Sequence, residues 1–253
     1  MVEEINEVRG IFVAFPGLAG CGKTTIHTKL VEKYPNEFER PPNFTTRNER
    51  PEEKKKRLKH GTKSYVHLKP EQFKAKLEEK DIFGEVNFCG SWYGMSISAI
   101  KAVWKKGKIA VNDCQMKGIE AARKKFGSDF IAIFVTPHED DNEALRISAL
   151  RLCKRTHEEL SALDIELKAE KNPERQKEIK AKMAMIKASF RERLEDNKEY
   201  IKLKKSFHYV IINKEGEFEK ALAQAYEIIQ LEKNKSNSFT NSKKEDTLPR
   251  ENF

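Results

Sequence analysis

The chain predicts an α/β fold: a parallel sheet core flanked by helices, with a small mixed insert and an enlarged helical lid. Three observations predict it. Short apolar runs alternate with helix-forming stretches along most of the 253 residues, the pattern of a parallel sheet covered on both faces. The first of those runs leads straight into FPGLAGCGKTT, residues 15–25. Two stretches, 43–93 and 157–205, interrupt the alternation.

Taken in order, Ile11–Phe15 reads as the first strand and Lys23–Lys33 as the helix that follows it. Residues 43–93 hold short strand candidates, Ser64–Leu68 and Asp81–Phe88, among basic loops. A helix at Ser96–Lys106 precedes the strand Lys108–Asp113, and a helix at Gly118–Phe126 precedes Phe130–Val135. Residues 157–205 are helix-forming throughout except near Asn172-Pro173, where proline suits the first turn of a new helix. A projecting helical hairpin is therefore expected. Phe207–Ile212 is the last strand, and Glu217–Leu231 the last helix, with Phe218, Leu222, Ala225, Tyr226 and Ile229 on one face. From Lys233 the chain is polar and poor in core residues, which predicts disorder. The expected organisation is a core of residues 1–42, 95–150 and 206–232, an insert at 43–94, a lid at 151–205 and a disordered tail at 233–253.

Composition narrows the class. Hydrophobic residues make up 38% and charged residues 35%, so a core is affordable alongside heavily charged helix faces. The net charge of +9 favours an anionic partner without choosing one. The four cysteines, Cys21, Cys89, Cys114 and Cys153, form no C-x-x-C pair, which argues against structural zinc or a disulfide framework and for reduced thiols. The acidic N-terminal stretch lacks an apolar signal region, and no run has the length of a membrane span. The expected location is the cytoplasm, with no membrane partner.

Residues 17–24 fit G-x-x-x-x-G-K-(S/T) at every fixed position. With a strand before it and a helix after, this predicts a phosphate loop and a P-loop NTPase-type core. Backbone N–H groups of Gly17, Gly20, Cys21, Gly22, Lys23, Thr24 and Thr25 would surround the phosphates of ATP at a helix N-terminus. Lys23 would reach the outer phosphates, and the Thr24 hydroxyl would ligate Mg²⁺. Asp113, ending the strand KIAVND, would hold the same ion through water.

The acceptor is addressed by residues 43–53. Arg47 and Arg50, three apart in a turn, can clamp one dianionic phosphate. Thr45-Thr46-Arg47, Arg50 and Glu53 are followed by Tyr65, by Phe83-Gly84-Glu85 and by Gly90-Ser91-Trp92-Tyr93-Gly94. Downstream come Arg151-Leu152-Cys153-Lys154-Arg155-Thr156, then Arg193-Leu194 and Phe207–Asn213. In order and spacing this series resembles the guanylate kinase family, over roughly residues 10 to 231.

The resemblance implies ATP-dependent phosphorylation of GMP or dGMP to GDP with Mg²⁺, a place in purine nucleotide metabolism, and a monomer or homodimer. It makes the insert the nucleoside-monophosphate-binding part. Arg47, Arg50, Tyr65 and Tyr93 would hold the GMP phosphate, Glu53 would belong to the same GMP-binding set, Glu85 would read the guanine N–H donors, and the Asn43 amide would donate to guanine O6. Arg151 and Arg155, on one helix face, would neutralise the transferring group together with Arg193 and Lys23.

The likeness has gaps. Gln115 stands where the family has the second aspartate of its D-I-D strand, Met95 replaces a small hydroxyl residue, and one residue is missing between Glu85 and Gly90. Inserts lie at Lys54–His60 and roughly Leu163–Lys187. Alternative readings are a same-fold kinase with another nucleoside monophosphate or small phosphate, and an inactive guanylate-kinase-like interaction module. No specific nucleic-acid partner is expected, because the basic inserts lack interleaved aromatics.

Overall fold

The computed structural model describes residues 9–49, 65–88 and 90–245. Its main sheet has five strands in the order β2-β7-β1-β8-β9: β1 (Phe12–Phe15), β2 (Phe38–Glu39), β7 (Ile109–Asp113), β8 (Phe130–Thr136) and β9 (Tyr209–Ile212). Every neighbouring pair is parallel. β1, β8 and most of β7 are buried residue after residue, as strands covered on both faces must be. The covering helices are α1 (Lys23–Lys33), α3 (Ile97–Trp104), α4 (Met116–Phe126) and α7 (Phe218–Glu245).

The core is aromatic at its lower edge. The Phe12 ring lies 5.8 Å from Phe126 and 5.3 Å from Phe130, and Trp104 packs on Phe126 at 5.5 Å. The Trp104 indole N–H also donates to the Ile11 carbonyl at 3.0 Å, so its polar edge is satisfied where it is buried.

A second sheet, in the order β4-β3-β6-β5, is built from β3 (Asn43–Thr45), β4 (Tyr65–His67), β5 (Ile82–Phe88) and β6 (Ser91–Ser96). It has its own small core of Phe44, Phe73 and Ile82, with Phe73 supplied by α2 (Pro70–Glu78). The β5–β6 pairing shifts register between Phe83 and Val86, where Gly84 adopts a left-handed φ of 61°. This is a β-bulge, which re-aims the side chains that follow it.

The hairpin consists of α5 (Asp141–Ala169) and α6 (Pro173–Leu203). α5 starts ten residues before position 151, at a cap in which Asp140 accepts the Glu143 N–H at 2.9 Å. The break falls at Asn172-Pro173, with the Asn172 side chain capping α6 through the Glu174 N–H. α7 continues to Glu245, so the expected disorder from residue 233 is corrected over 233–245, where the chain is helical. Among the described residues no helix is long and apolar enough to cross a membrane.

Candidate active site

The register of the main sheet sets the site. Phe15 pairs with Asp113, so the carboxylate emerges at the carboxyl edge beside the loop that begins at Gly17, which is where open parallel sheets bind ligands. A Cβ on Gly17 would stand 2.1 Å from the Val135 carbonyl oxygen, and one on Gly22 would stand 2.4 Å from Asn213 Nδ2. Both residues also have positive φ, 143° and 93°. Only glycine fits at either position.

Several carbonyls of the loop are held by side chains. Lys23 Nζ donates to Gly17 and Leu18 at 2.8 and 2.7 Å, Asn213 Nδ2 donates to Cys21 at 2.8 Å, and the Ser148 hydroxyl donates to Ala19. The first turn of α1 has no side-chain cap, which leaves a positive helix end facing the cleft. Cys21 is buried in the loop, and burial pushes its thiol up against the pull of Lys23, so it acts as an inert filler.

Thr24 Oγ1 lies 3.3 Å from Asp113 Oδ2. Burial opposes the charge on Asp113, but Arg40, then His27 and Lys23, outweigh it and hold the carboxyl below its usual range. Arg40 Nη2 is 3.1 Å from Asp113 Oδ1, and its Nε donates to Asn112 Oδ1 at 3.0 Å. Beneath them lies His27, fully buried, with neither ring nitrogen hydrogen-bonded and Nε2 3.7 Å from Asp113. Burial pushes its imidazole down to about 4, so it is neutral at pH 7.

A cleft of about 590 Å³ runs from this loop to the second sheet, within the range of small-molecule sites. Of the sequence-predicted residues it brings together Gly17, Gly20, Gly22, Lys23, Thr24, Thr25 and Asp113 at one end and Asn43, Arg47, Tyr65 and Tyr93 at the other. Arg155 and Arg193 also line it. Arg47 stacks on the Tyr65 ring at 5.0 Å, and Tyr65 meets Tyr93 edge-on at 6.1 Å. Burial raises the Tyr65 phenol, which stays a neutral donor. Asn43 Oδ1 accepts from Asn112 Nδ2 at 2.9 Å. That bond leaves the Asn43 amide nitrogen as the group available to the cleft.

Two expected residues lie off the cleft walls, and two fall outside the description. Cys21 sits in the loop with its side chain buried. Arg151 flanks it, with its Cβ 3.4 Å from where a Gly20 Cβ would be. Glu85 is not among the lining residues: the bulge puts Gly84 and Val86 on the cleft, and the Glu85 carboxylate pairs with Lys117 Nζ at 3.3 Å. Arg50 and Glu53, with the insert Lys54–His60, lie outside the described residues.

Sequence reasoning missed Arg40, Asn112, His27, Ser148, Asn197 and Tyr200. A carboxamide inside the otherwise apolar strand IAVND was the available signal for Asn112. Nothing in local spacing marks the others.

A family model described as guanylate kinase matches residues 10–161. The guanylate kinase of Chlamydia felis (strain Fe/C-56) is 35% identical over 118 residues, 47% of this chain and 54% of that protein. The guanylate kinase of Lactobacillus acidophilus is 27% identical over 139 residues, 55% of this chain and 65% of that protein. The chain thus spans little more than half the length of the curated relatives it matches. The crystal structure of guanylate kinase from Anaplasma phagocytophilum shares the fold, with a TM-score of 0.53 at 17% identity over 90% of this chain and 87% of that one. With the phosphate loop, the strand ending in Asp113, the second sheet and the start of the lid all inside a family match that takes in more than half of its residues, this chain belongs to the guanylate kinase family.

Proposed function

We propose that the chain transfers the terminal phosphoryl group of ATP to GMP or dGMP. The observation that carries this reading is that one cleft joins a glycine-cradled loop with Thr24 and Asp113 to an Arg47–Tyr65–Tyr93 cluster, with Arg155 and Arg193 also on its walls. The first group suits a triphosphate and the second a phosphate monoester. Two cationic side chains from the lid hairpin suit the charge that develops between them.

Thr24 and Asp113 supply two hard oxygens 3.3 Å apart, a donor set that fits Mg²⁺ held partly through water and phosphate. When bound, that ion neutralises phosphate charge. The chain's own residues do the rest. Lys23 exchanges its two loop carbonyls for phosphate oxygens. The α1 amides hold the group that stays, while Arg47, Tyr65 and Tyr93 fix the acceptor phosphate in line. Arg155, Arg193 and the flanking Arg151 stabilise the transferring oxygens. Arg50 and Glu53 join the acceptor cluster in this reading. Asn43 donates to the O6 edge of guanine.

Glu85, held by Lys117, gives no support to carboxylate reading of guanine, and Met95, Cys114 and Gln115 line the cleft instead. That favours one rival, a kinase of the same fold that acts on another nucleoside monophosphate. An ADP-release assay across the common nucleoside monophosphates separates the two. Turnover with GMP and dGMP well above the rest supports the first reading, comparable or higher rates with another base support the second, and no ADP release with any acceptor overturns both.

A further inference from the structure

The phosphate loop is fastened to both long helices of the lid hairpin at a single residue, Ala19, through the two peptide units that flank it. The Ala19 N–H donates to Asn197 Oδ1 at 2.6 Å, and the Ala19 carbonyl accepts from the Ser148 hydroxyl. Asn197 Nδ2 donates in turn to Ser148 Oγ at 2.8 Å, which closes a ring. Ser148 belongs to α5 and Asn197 to α6, and both are buried, at 0% and 2% exposure. The donor and acceptor count balances: the hydroxyl gives one proton and takes one bond, the carboxamide oxygen accepts and its nitrogen donates. A buried polar ring with every member satisfied is stiff, and removing one member strands the others.

A second fastening follows on the same face of α6. The Tyr200 hydroxyl accepts the Met116 N–H at 3.0 Å, at the first residue of α4. The root of the lid is thereby tied to the donor loop and to the helix that follows Asp113.

The cationic groups of the lid sit on the same turns. Arg193 precedes Asn197 by one helical turn, and Arg151 follows Ser148 by one, beside Gly20. We infer that Ser148 and Asn197 are positioning residues, which set the register of the lid arginines against the phosphate loop through the backbone N–H and carbonyl of Ala19. The inference rests on the kinase reading above. It goes beyond that reading because neither side chain needs to touch substrate for the ring to act.

The test compares the full-length wild type with Ser148→Ala, Asn197→Ala, their double variant and Ser148→Thr, which keeps the hydroxyl. In the nucleotide-free chain, hydrogen exchange at the Ala19 amide should speed up at least about tenfold in Asn197→Ala. ATP should dissociate about tenfold more readily. kcat should fall roughly 10- to 100-fold, as for a misplaced reacting group, with the KM for GMP held within about twofold. Ser148→Thr should retain kcat, and the double variant should be no worse than the worse single one, because the two act through one ring. If Asn197→Ala does not fold, the isosteric Asn197→Asp, which keeps the acceptor for Ala19 and loses the donor toward Ser148, carries the kcat and ATP-affinity readouts.

Faster Ala19 exchange with unchanged kcat and unchanged ATP affinity in a folded variant would reduce the ring to a structural contact and overturn the inference, as would additive losses in the double variant. A wild-type chain that binds ATP but phosphorylates no acceptor would overturn the kinase reading instead. The positioning claim would then stand or fall on the exchange and ATP-affinity results.

Discussion

The donor end and the acceptor end of the cleft are built on different principles. At the donor end the backbone makes the site: two glycines that tolerate no Cβ, carbonyls held by Lys23, Asn213 and Ser148, and a helix end without a side-chain cap. At the acceptor end side chains make it, on a small sheet with a bulge at Gly84 and, among the described residues, a core centred on Phe44, Phe73 and Ile82. A backbone site is defined by which residues can occupy it. A side-chain site depends on where each strand aims its residues, and one inserted or missing residue re-aims them all.

The largest effect is expected at the donor end. Lys23→Met should lower turnover by roughly 100- to 1000-fold, the scale for losing one charge-stabilising donor, with the far-ultraviolet circular dichroism unchanged. Near-normal activity would mean that the loop is not the donor site.

The next effect concerns pH. His27 takes up protons near its ordinary 6.5 when unfolded but only near about 4 when folded. In that window the unfolded chain binds more protons, so stability falls as the pH drops from about 6.5 to about 4, by about 3 kcal/mol. Above the window the imidazole is neutral in both states and contributes no slope. Thermal melts across this range should show a steeper acid loss for wild type than for His27→Leu; parallel curves would contradict the buried, neutral assignment.

At the acceptor end, Asn43→Ala should reduce the preference for GMP over AMP by about 1–2 kcal/mol, close to tenfold in kcat/KM, since one hydrogen bond to the base edge is lost. The smallest effect is the sharpest contrast. Glu85→Gln should leave base selectivity unchanged and alter stability by less than about 1 kcal/mol, because its partner Lys117 is exposed. A collapse of guanine preference in that variant would show that the bulge re-forms around the base and brings the carboxylate in.

The same difference explains what could be read from the sequence. The parallel core was legible because buried strands are short apolar runs, and β1, β7, β8 and β9 fall within a residue or two of the runs that foretold them. The loop was legible because its glycine spacing is a backbone requirement. Arg47, Tyr65 and Tyr93 meet at one end of the cleft, as their order along the chain suggested. The pairing of Glu85 with Lys117, off the cleft, was not legible because spacing does not reveal a bulge; the missing residue before Gly90 is its trace in the sequence. Arg40 and His27 were invisible because their importance comes from lying beside Asp113, a long-range contact that no local pattern encodes. Ser148 and Asn197 sit 49 positions apart on two helices and meet only once the hairpin has docked on the loop. Helix α7 outran its apolar stripe: the periodic face ends near Leu231, yet the helix continues to Glu245.

The central claim is that the donor and acceptor phosphates face each other in one cleft. Calorimetric titration with a bisubstrate analogue, adenosine and guanosine joined by a pentaphosphate bridge, tests it most directly. The account predicts one molecule bound per chain, more tightly than ATP or GMP alone, and displaced by either. Binding no tighter than ATP alone, with GMP unable to displace it, would contradict the account.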